Sequence, residues 1–353
     1  MPSFQFLLVR KSLFSGRTHL RPTTSMANWL YISRNISDTN RVTDFPLTRE
    51  EAFSFLEDTL QISDWRLKLD TDPRNLLNTI TQSMLCRIPF TNLPLVGQKI
   101  HFVTPSSFLE VKKAMFSRIG GGCVDFTMFT YALLSCLGYD CFICDSSYIY
   151  NPCNTNIHSA VIVRDLNGLG SRHLVDIGCG EPFFRSISLD FEKVSPIYCD
   201  DYLVYRFVRK NGTIVCQKML SKHRCPEFNT PYLDTQDCGN KEWSSLLTYD
   251  VNNARDLQYL VKTRPVTVIP RYAFKFLLVI GFPTGKLRSV FNGTFYKSEE
   301  DGYIVKTKLA TAEDELNVCI EKYPHLPLNM VKTVLFNSSR SNLICKYPGY
   351  RVI

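Results

Sequence analysis

The sequence is poor in the features that mark a membrane, secreted or metal-binding chain. Across its 353 residues no apolar run approaches the roughly 18 to 20 residues that a spanning helix needs. The longest candidate, 274–282, is interrupted by Lys275 and is of strand length, so no membrane partner is expected. The 13 cysteines are odd in number, irregular in spacing and mostly set among apolar residues, which argues against a disulfide framework and fits a reducing compartment. The C-x-x-C of Cys141 and Cys144 has no second pair at zinc-site spacing. It lies in a strand-like run (YDCFICDSSY), where residues three apart face opposite ways, and no metal is expected. Internal repeats and low-complexity tracts are missing as well. Acidic residues are absent from positions 1–37, where Arg10, Lys11, Arg17, Arg21 and Arg34 stand among serines and threonines. That segment reads as a transit-peptide-like or disordered basic arm, or as an extension ahead of a start at Met26, and it is set outside the fold. The net charge of +8 suits a phosphorylated or nucleotide-bearing ligand, but basic and acidic residues are interspersed, so no nucleic-acid partner is expected.

What is present begins with Cys123. It follows Gly120, Gly121 and Gly122 and opens an apolar run, which places a thiol at the mouth of a helix. Glycines permit a tight turn and a close approach, and free amides at a helix N-terminus favour the thiolate. Downstream, His158 opens HSAVIV and Asp176 lies in HLVDIG, supplying the base and the orienting carboxylate that a cysteine nucleophile requires. Each residue alone has an ordinary structural explanation: a buried cysteine is usually an apolar filler, and an aspartate near glycine is usually a turn residue. Their joint placement is the signal. If the two strands pair about Asn167-Gly168, residues whose numbers sum to 334–336 face each other, which brings His158 opposite or one step from Asp176. His173, three residues from Asp176 in the same strand, points to the other face.

The organisation is α+β. Thr48 and Glu51 form a capping box, Asp72-Pro73 opens a helix to about 85, Thr104-Pro105 opens another to about 115, and 123–137 is a buried helix stopped by Gly138. From Tyr139 strand-length runs alternate with turn residues, including hairpin signals at Asn167-Gly168 and Asn211-Gly212, and predict an antiparallel sheet or small barrel. The stretch 221–252 reads as a long polar connection. Strands are expected at 273–281 and 287–295 and a helix at 312–321. The implied divisions are an arm (1–37), a helical unit carrying the nucleophile (38–138), a β unit with its connecting segment (139–252) and a C-terminal unit with its tail (253–353).

Several blocks together resemble one family, the arylamine N-acetyltransferases. They are RIPFTNLPL (87–95), IGGGCVDF, HSAVIV, LVDIGCG, KTRPVTVIPRY and GFPTGKLRSVF, in the family's order over about 45–325. The resemblance implies cytosolic enzymes, and the acid-free arm keeps mitochondria as an alternative location. It implies an N-terminal helical bundle, a central antiparallel β-barrel and a C-terminal α/β lid around a cysteine-protease-like core. It also implies a triad of Cys123, His158 and Asp176 that moves acetyl groups from acetyl-coenzyme A to an aromatic amine or hydrazine by a ping-pong route. The partners so implied are a small-molecule amine and a coenzyme A thioester. Thr267 falls where the family places a hydroxyl near the coenzyme, with Lys262, Arg264 and Arg271 as phosphate candidates, and Phe90 and Cys179 fall on the acceptor side. Two competing readings of the triad are a papain- or transglutaminase-type hydrolase and a catalytically silent binding module.

The chain departs from the family's pattern at three places. The arginine four residues before the nucleophile is Ile119, with Arg118 displaced by one; the glutamate of the P-F-E-N segment is Thr91; and the aromatic residue three after the triad aspartate is Cys179, followed by Gly180 and Glu181. The first two are expected to be linked, because each removes the other's charge partner. The third predicts a wider acceptor slot.

Overall fold

Capping chemistry sets the helices. Thr48 and Glu51 exchange side-chain and backbone bonds at the start of α1 (Arg49–Ser54), which runs on as a π-helical turn, Phe55–Thr59. After α2 (Trp65–Thr71), Asp72 caps α3 (Pro73–Arg87), accepting the Asn75 N–H, with Pro73 at the first helical position. The next helix is α4 (Phe108–Phe116), with Ser107 and Glu110 as its capping box; Thr104-Pro105, where the sequence places its start, lies outside the described residues. The helix that opens with Cys123, α5 (Cys123–Cys136), ends at Gly138, whose φ of 89° provides the left-handed stop. The computed structural model describes residues 47–95, 107–149, 158–219, 242–263 and 276–337, all within one compact unit, Asp44–Ile353.

α5 is apolar nearly all round, and Phe126, Phe129 and Leu133 enter a core with Phe55, Leu76, Ile80, Met84 and Met115 from the other helices. Phe55 meets Phe129 edge-on, with centroids 4.6 Å apart. Burying an aromatic side chain of this size contributes about 1.5–3 kcal/mol.

The main sheet has eight antiparallel strands. In chain order these are β2 (Cys141–Tyr148), β3 (His158–Arg164), β4 (Arg172–Val175), β5 (Ile187–Ser188), β6 (Tyr198–Asp200), β7 (Leu203–Lys210), β8 (Thr213–Met219) and β9 (Trp243–Arg255). In space they run β5-β4-β3-β2-β9-β8-β7-β6. β5 and β6 remain edges, so the sheet is a half-barrel and not a closed one. Its ends nevertheless curl together: Phe183, beside β5, packs with its ring tilted against that of Tyr205 of β7, centroids 4.8 Å apart, and Arg209 donates to the Leu189 carbonyl. α5 covers the face carrying Val161, Val163 and Val175, while Cys144, Ala160, Ile162, Leu174, Phe207 and Cys216 line the concave side.

The connection expected at 221–252 is in part a strand. β9 occupies the centre of the sheet, and its alternation is masked by a bulge: Gln217 faces Ser245 and Cys216 faces Leu247, leaving Leu246 extra. Residues 220–241 lie outside the described residues.

A second sheet has the order β1-β10-β11-β12-β13, beginning with β1 (Phe90–Thr91) from the helical region. Its other strands are β10 (Leu278–Gly281), β11 (Arg288–Phe291), β12 (Thr294–Ser298) and β13 (Ile304–Lys308). The single strand expected at 287–295 is a hairpin, turned at Asn292-Gly293 with φ of 46° and 74°. A pair of helices, α7 (Ala312–Lys322) and α8 (Leu328–Asn337), covers this sheet through Leu316, Cys319, Val331 and Val334; the short helix after β9, Leu257–Thr263, is α6.

Candidate active site

The glycine loop docks before α5 begins. Gly120 has φ 82°, and a Cβ there would lie 1.8 Å from the Pro89 carbonyl oxygen, so only glycine fits. Thr91 N–H donates to the Gly121 carbonyl at 2.9 Å, fastening the loop to β1. Asp125 accepts the Gly122 N–H at 2.9 Å, which caps α5 and leaves Cys123 at its first position, half-buried.

The strand pair delivers the partners. β3 and β4 hold the sum of facing residue numbers at 336, so Asp176, just past β4, lies diagonal to His158, the first residue of β3. His158 Nε2 donates to Asp176 Oδ2 at 2.8 Å, and both side chains are sealed from solvent. With Nε2 so used, Nδ1 is the ring nitrogen left for Cys123, which lies near enough to help hold the imidazole charged. Burial alone pulls the imidazole pKa down. The Asp176 charge and hydrogen bond, with Cys123, outweigh it and push the value up to about 9, so His158 is an imidazolium at neutral pH.

Close packing holds this line together. A Cβ on Gly178 would stand 2.9 Å from the Cys123 carbonyl oxygen and 3.1 Å from its Cα, so the loop after Asp176 crosses directly over the Cys123 backbone. Tyr249 of β9 is fully buried and donates to the same Asp176 Oδ2 at 2.8 Å. It is the main site residue that sequence reasoning missed. The aromatic–aliphatic alternation around it is the signal, and the Leu246 bulge hid it.

The other sequence-named residues fall as follows. Phe90 is half-buried beside the loop, its backbone bridged to Gly121 and its ring parallel to Phe126 at 6.5 Å. Cys179 is buried, its thiol donating to the Asp176 carbonyl at 3.9 Å, and burial holds its pKa well above the ordinary range. Its own carbonyl accepts from Tyr148, whose ring lies 5.5 Å from that of His158. Thr267, Arg264, Arg271 and the side chain of Lys262 lie outside the described residues. His173 faces away from the triad, accepting from Asn167 at 3.1 Å. Cys141 and Cys144 enter different cores on opposite faces of β2. Among the described residues no three His, Cys, Asp or Glu side chains group as a metal site, and no helix is long and apolar enough to cross a membrane.

Two of the departures gain a physical reading. The Thr91 hydroxyl donates to the Leu278 carbonyl at 2.8 Å and accepts from the Leu93 N–H, while Ile119 packs against the core between the second sheet and α7–α8. A hydroxyl and an apolar side chain therefore hold the loop here, with no charge pair between these positions.

Comparison with known proteins agrees with this architecture. Residues 75–333 match the family model described as N-acetyltransferase. The chain is 24% identical over 274 residues to the liver isozyme of arylamine N-acetyltransferase from Gallus gallus, covering 72% of this chain and 91% of that protein. The solved Mycobacterium marinum arylamine N-acetyltransferase in complex with CoA superposes with a TM-score of 0.60 at 16% identity, over 81% of this chain and 98% of that one. The Nocardia farcinica arylamine N-acetyltransferase gives 0.61 at 15% identity, over 82% and 94%.

Proposed function

The chain belongs to the arylamine N-acetyltransferase family, and we propose that it moves the acetyl group of acetyl-coenzyme A to an aromatic amine or hydrazine through an acetyl-Cys123 intermediate. The observation that supports the residue assignment is the buried His158–Asp176 hydrogen bond set beside Cys123 at the N-terminus of α5.

In the first half-reaction the Cys123 thiolate, paired with the His158 imidazolium, attacks the thioester carbonyl. Collapse of the tetrahedral adduct breaks the bond to the coenzyme sulfur, which leaves with the proton from His158 as a thiol. The imidazole is then neutral and acts as base in the second half. The amine attacks the acetyl-cysteine carbonyl, His158 Nδ1 takes its proton, and the Cys123 thiolate departs as the amide forms. Asp176 holds Nε2–H and keeps Nδ1 aimed at sulfur throughout. Backbone amides at the start of α5 offer the developing oxyanion a favourable field.

Phe90 and Cys179 form the acceptor side in this reading, supported by their placement on the Gly121 bridge and beside Tyr148. Cys179 leaves a wider slot there than an aromatic side chain would. Thr267 contacts the coenzyme, and the C-terminal sheet with α7 and α8 serves as the lid of a cysteine-protease-like core; both rest on the family resemblance. The cytoplasm is the proposed location, with mitochondria as the alternative carried by the acid-free first 37 residues.

Intact-mass measurement after brief exposure to acetyl-coenzyme A without acceptor tests the reading. Wild type gains one acetyl unit and Cys123→Ser gains none. An adduct on both, or on neither, overturns it.

A further inference from the structure

The turn between β6 and β7 consists of two residues, Asp201 and Tyr202, that reach in opposite directions. Asp201, at φ 50°, has a fully buried side chain. Its carboxylate accepts the Leu287 N–H at 2.9 Å and the Ser298 hydroxyl at 2.7 Å, with Lys286 Nζ at 3.7 Å, all three on or beside the second sheet. Gly302 closes on it from the β12–β13 connection, where a Cβ would stand 3.1 Å from the Asp201 carbonyl oxygen. Tyr202 turns toward the half-barrel. Its ring packs against both the helical core and the concave core, and its hydroxyl donates to Glu181 Oε2 at 2.8 Å.

Glu181 is an unusual recipient. It lies in the loop that starts at Asp176, only 1% of it is exposed, and among the described residues Tyr202 is the sole side-chain partner of its carboxyl. Burial raises its pKa, against the pull of Lys218. The other titratable groups near it are Tyr148 from β2, Cys179 from its own loop and Cys216 from β8, and both Cys179 and Cys216 also sense the Asp176 charge. A desolvated carboxyl that loses a hydrogen bond gains by moving toward water. Any such movement pulls the loop whose first residue orients His158. The same loop is braced from the second sheet, with Ile280 against Gly180 and Phe282 edge-on to Phe184 at 5.6 Å.

We propose that Asp201, Tyr202 and Glu181 are positioning residues, forming a clasp through which the second sheet fixes the Asp176 loop and thereby the alignment of His158 with Cys123. The clasp rests on the triad reading above. It makes the order of the second sheet a condition for reactivity at Cys123, although no clasp residue touches the reacting atoms.

The test follows alkylation of Cys123 by iodoacetamide against pH in the full-length chain, quantified on the Cys123 peptide by mass spectrometry. Tyr202→Phe is expected to slow alkylation at pH 7 about tenfold and to move its midpoint to higher pH, because a loosened Asp176 no longer supports the imidazolium that stabilises the thiolate. The double variant Tyr202→Phe/Glu181→Met removes both polar partners together and returns rate and midpoint toward wild type. If Tyr202→Phe does not fold, Asp201→Asn, which keeps the side-chain shape, shows the same upward displacement. A lowered melting temperature with wild-type rate and midpoint in these variants makes the contacts merely structural and overturns the clasp. The alkylation comparison needs no acetyl donor, so failure to form acetyl-Cys123 would overturn the transfer reading while leaving the clasp to be decided by its own result.

Discussion

Two cores lie back to back on the half-barrel sheet, and they are built from opposite materials. The helical core is closed by Phe55, Leu76, Ile80, Met84, Phe129 and Leu133, and a buried polar group within it, Thr81, satisfies itself on its own helix. The concave core contains His158, Asp176, Glu181, Asp200, Tyr205 and Tyr249 among its apolar residues, and each of these is hydrogen-bonded to another side chain. Both are buried, but the first gains stability from transfer and dispersion, whereas the second spends part of that gain on keeping ionisable groups in fixed pairs. The difference also sorts the cysteines. Burial pushes Cys144, Cys179 and Cys216 far up as inert thiols, while Cys123 sits outside both cores at a helix mouth.

The comparison can be broken first at the polar core. Asp176→Asn keeps the shape but loses the charge that sustains the imidazolium, and acetyl transfer should fall on the order of 10⁴-fold, measured as amine-dependent release of coenzyme A. The corresponding cut in the apolar core is Phe129→Ala. It should cost about 3–5 kcal/mol in urea unfolding while the acetylation rate per folded molecule stays unchanged. Gly178→Ala tests the seam between loop and nucleophile, since its Cβ would sit 2.9 Å from the Cys123 carbonyl oxygen. A displacement of that kind should reduce the single-turnover acetylation rate about 10²-fold with little loss of stability.

The smallest effect distinguishes two histidines by sign. His173 is buried and neutral; burial, then Arg74, lowers its pKa, so its contribution to stability is full above about 6.5 and is lost as pH falls below that value. His158 is raised to about 9, so its contribution is full below about 6.5 and is lost as pH rises through about 9. His173→Gln should therefore flatten the acid limb of the stability profile and leave the alkaline limb in place, as read from urea midpoints across pH.

The meeting of His158 with Asp176 near Cys123 was legible in the sequence because its cues are local. Three glycines before Cys123, strand starts at His158 and near Asp176, and one turn between them together determine which side chains can meet. At α4 the complete box of Ser107 with Glu110 sits within four positions of the expected start, and Thr104-Pro105 itself lies outside the described residues. Tyr249 and β9 were lost to a one-residue bulge that breaks the period of 2. The β11–β12 hairpin was hidden because apolar residues continue on both sides of Asn292-Gly293. Tyr202 and Glu181 are joined across 21 positions and Asp201 and Ser298 across 97, separations at which no periodic pattern announces a contact.

The account turns on His158 being charged inside a buried core because Asp176 and Cys123 hold it so. NMR titration of histidine-labelled protein, with the His158 signal among those of the six histidines assigned by His158→Gln, measures this directly. The predicted result is an imidazolium that persists until about pH 9. A His158 titrating at or below its ordinary value of about 6.5 would contradict the account.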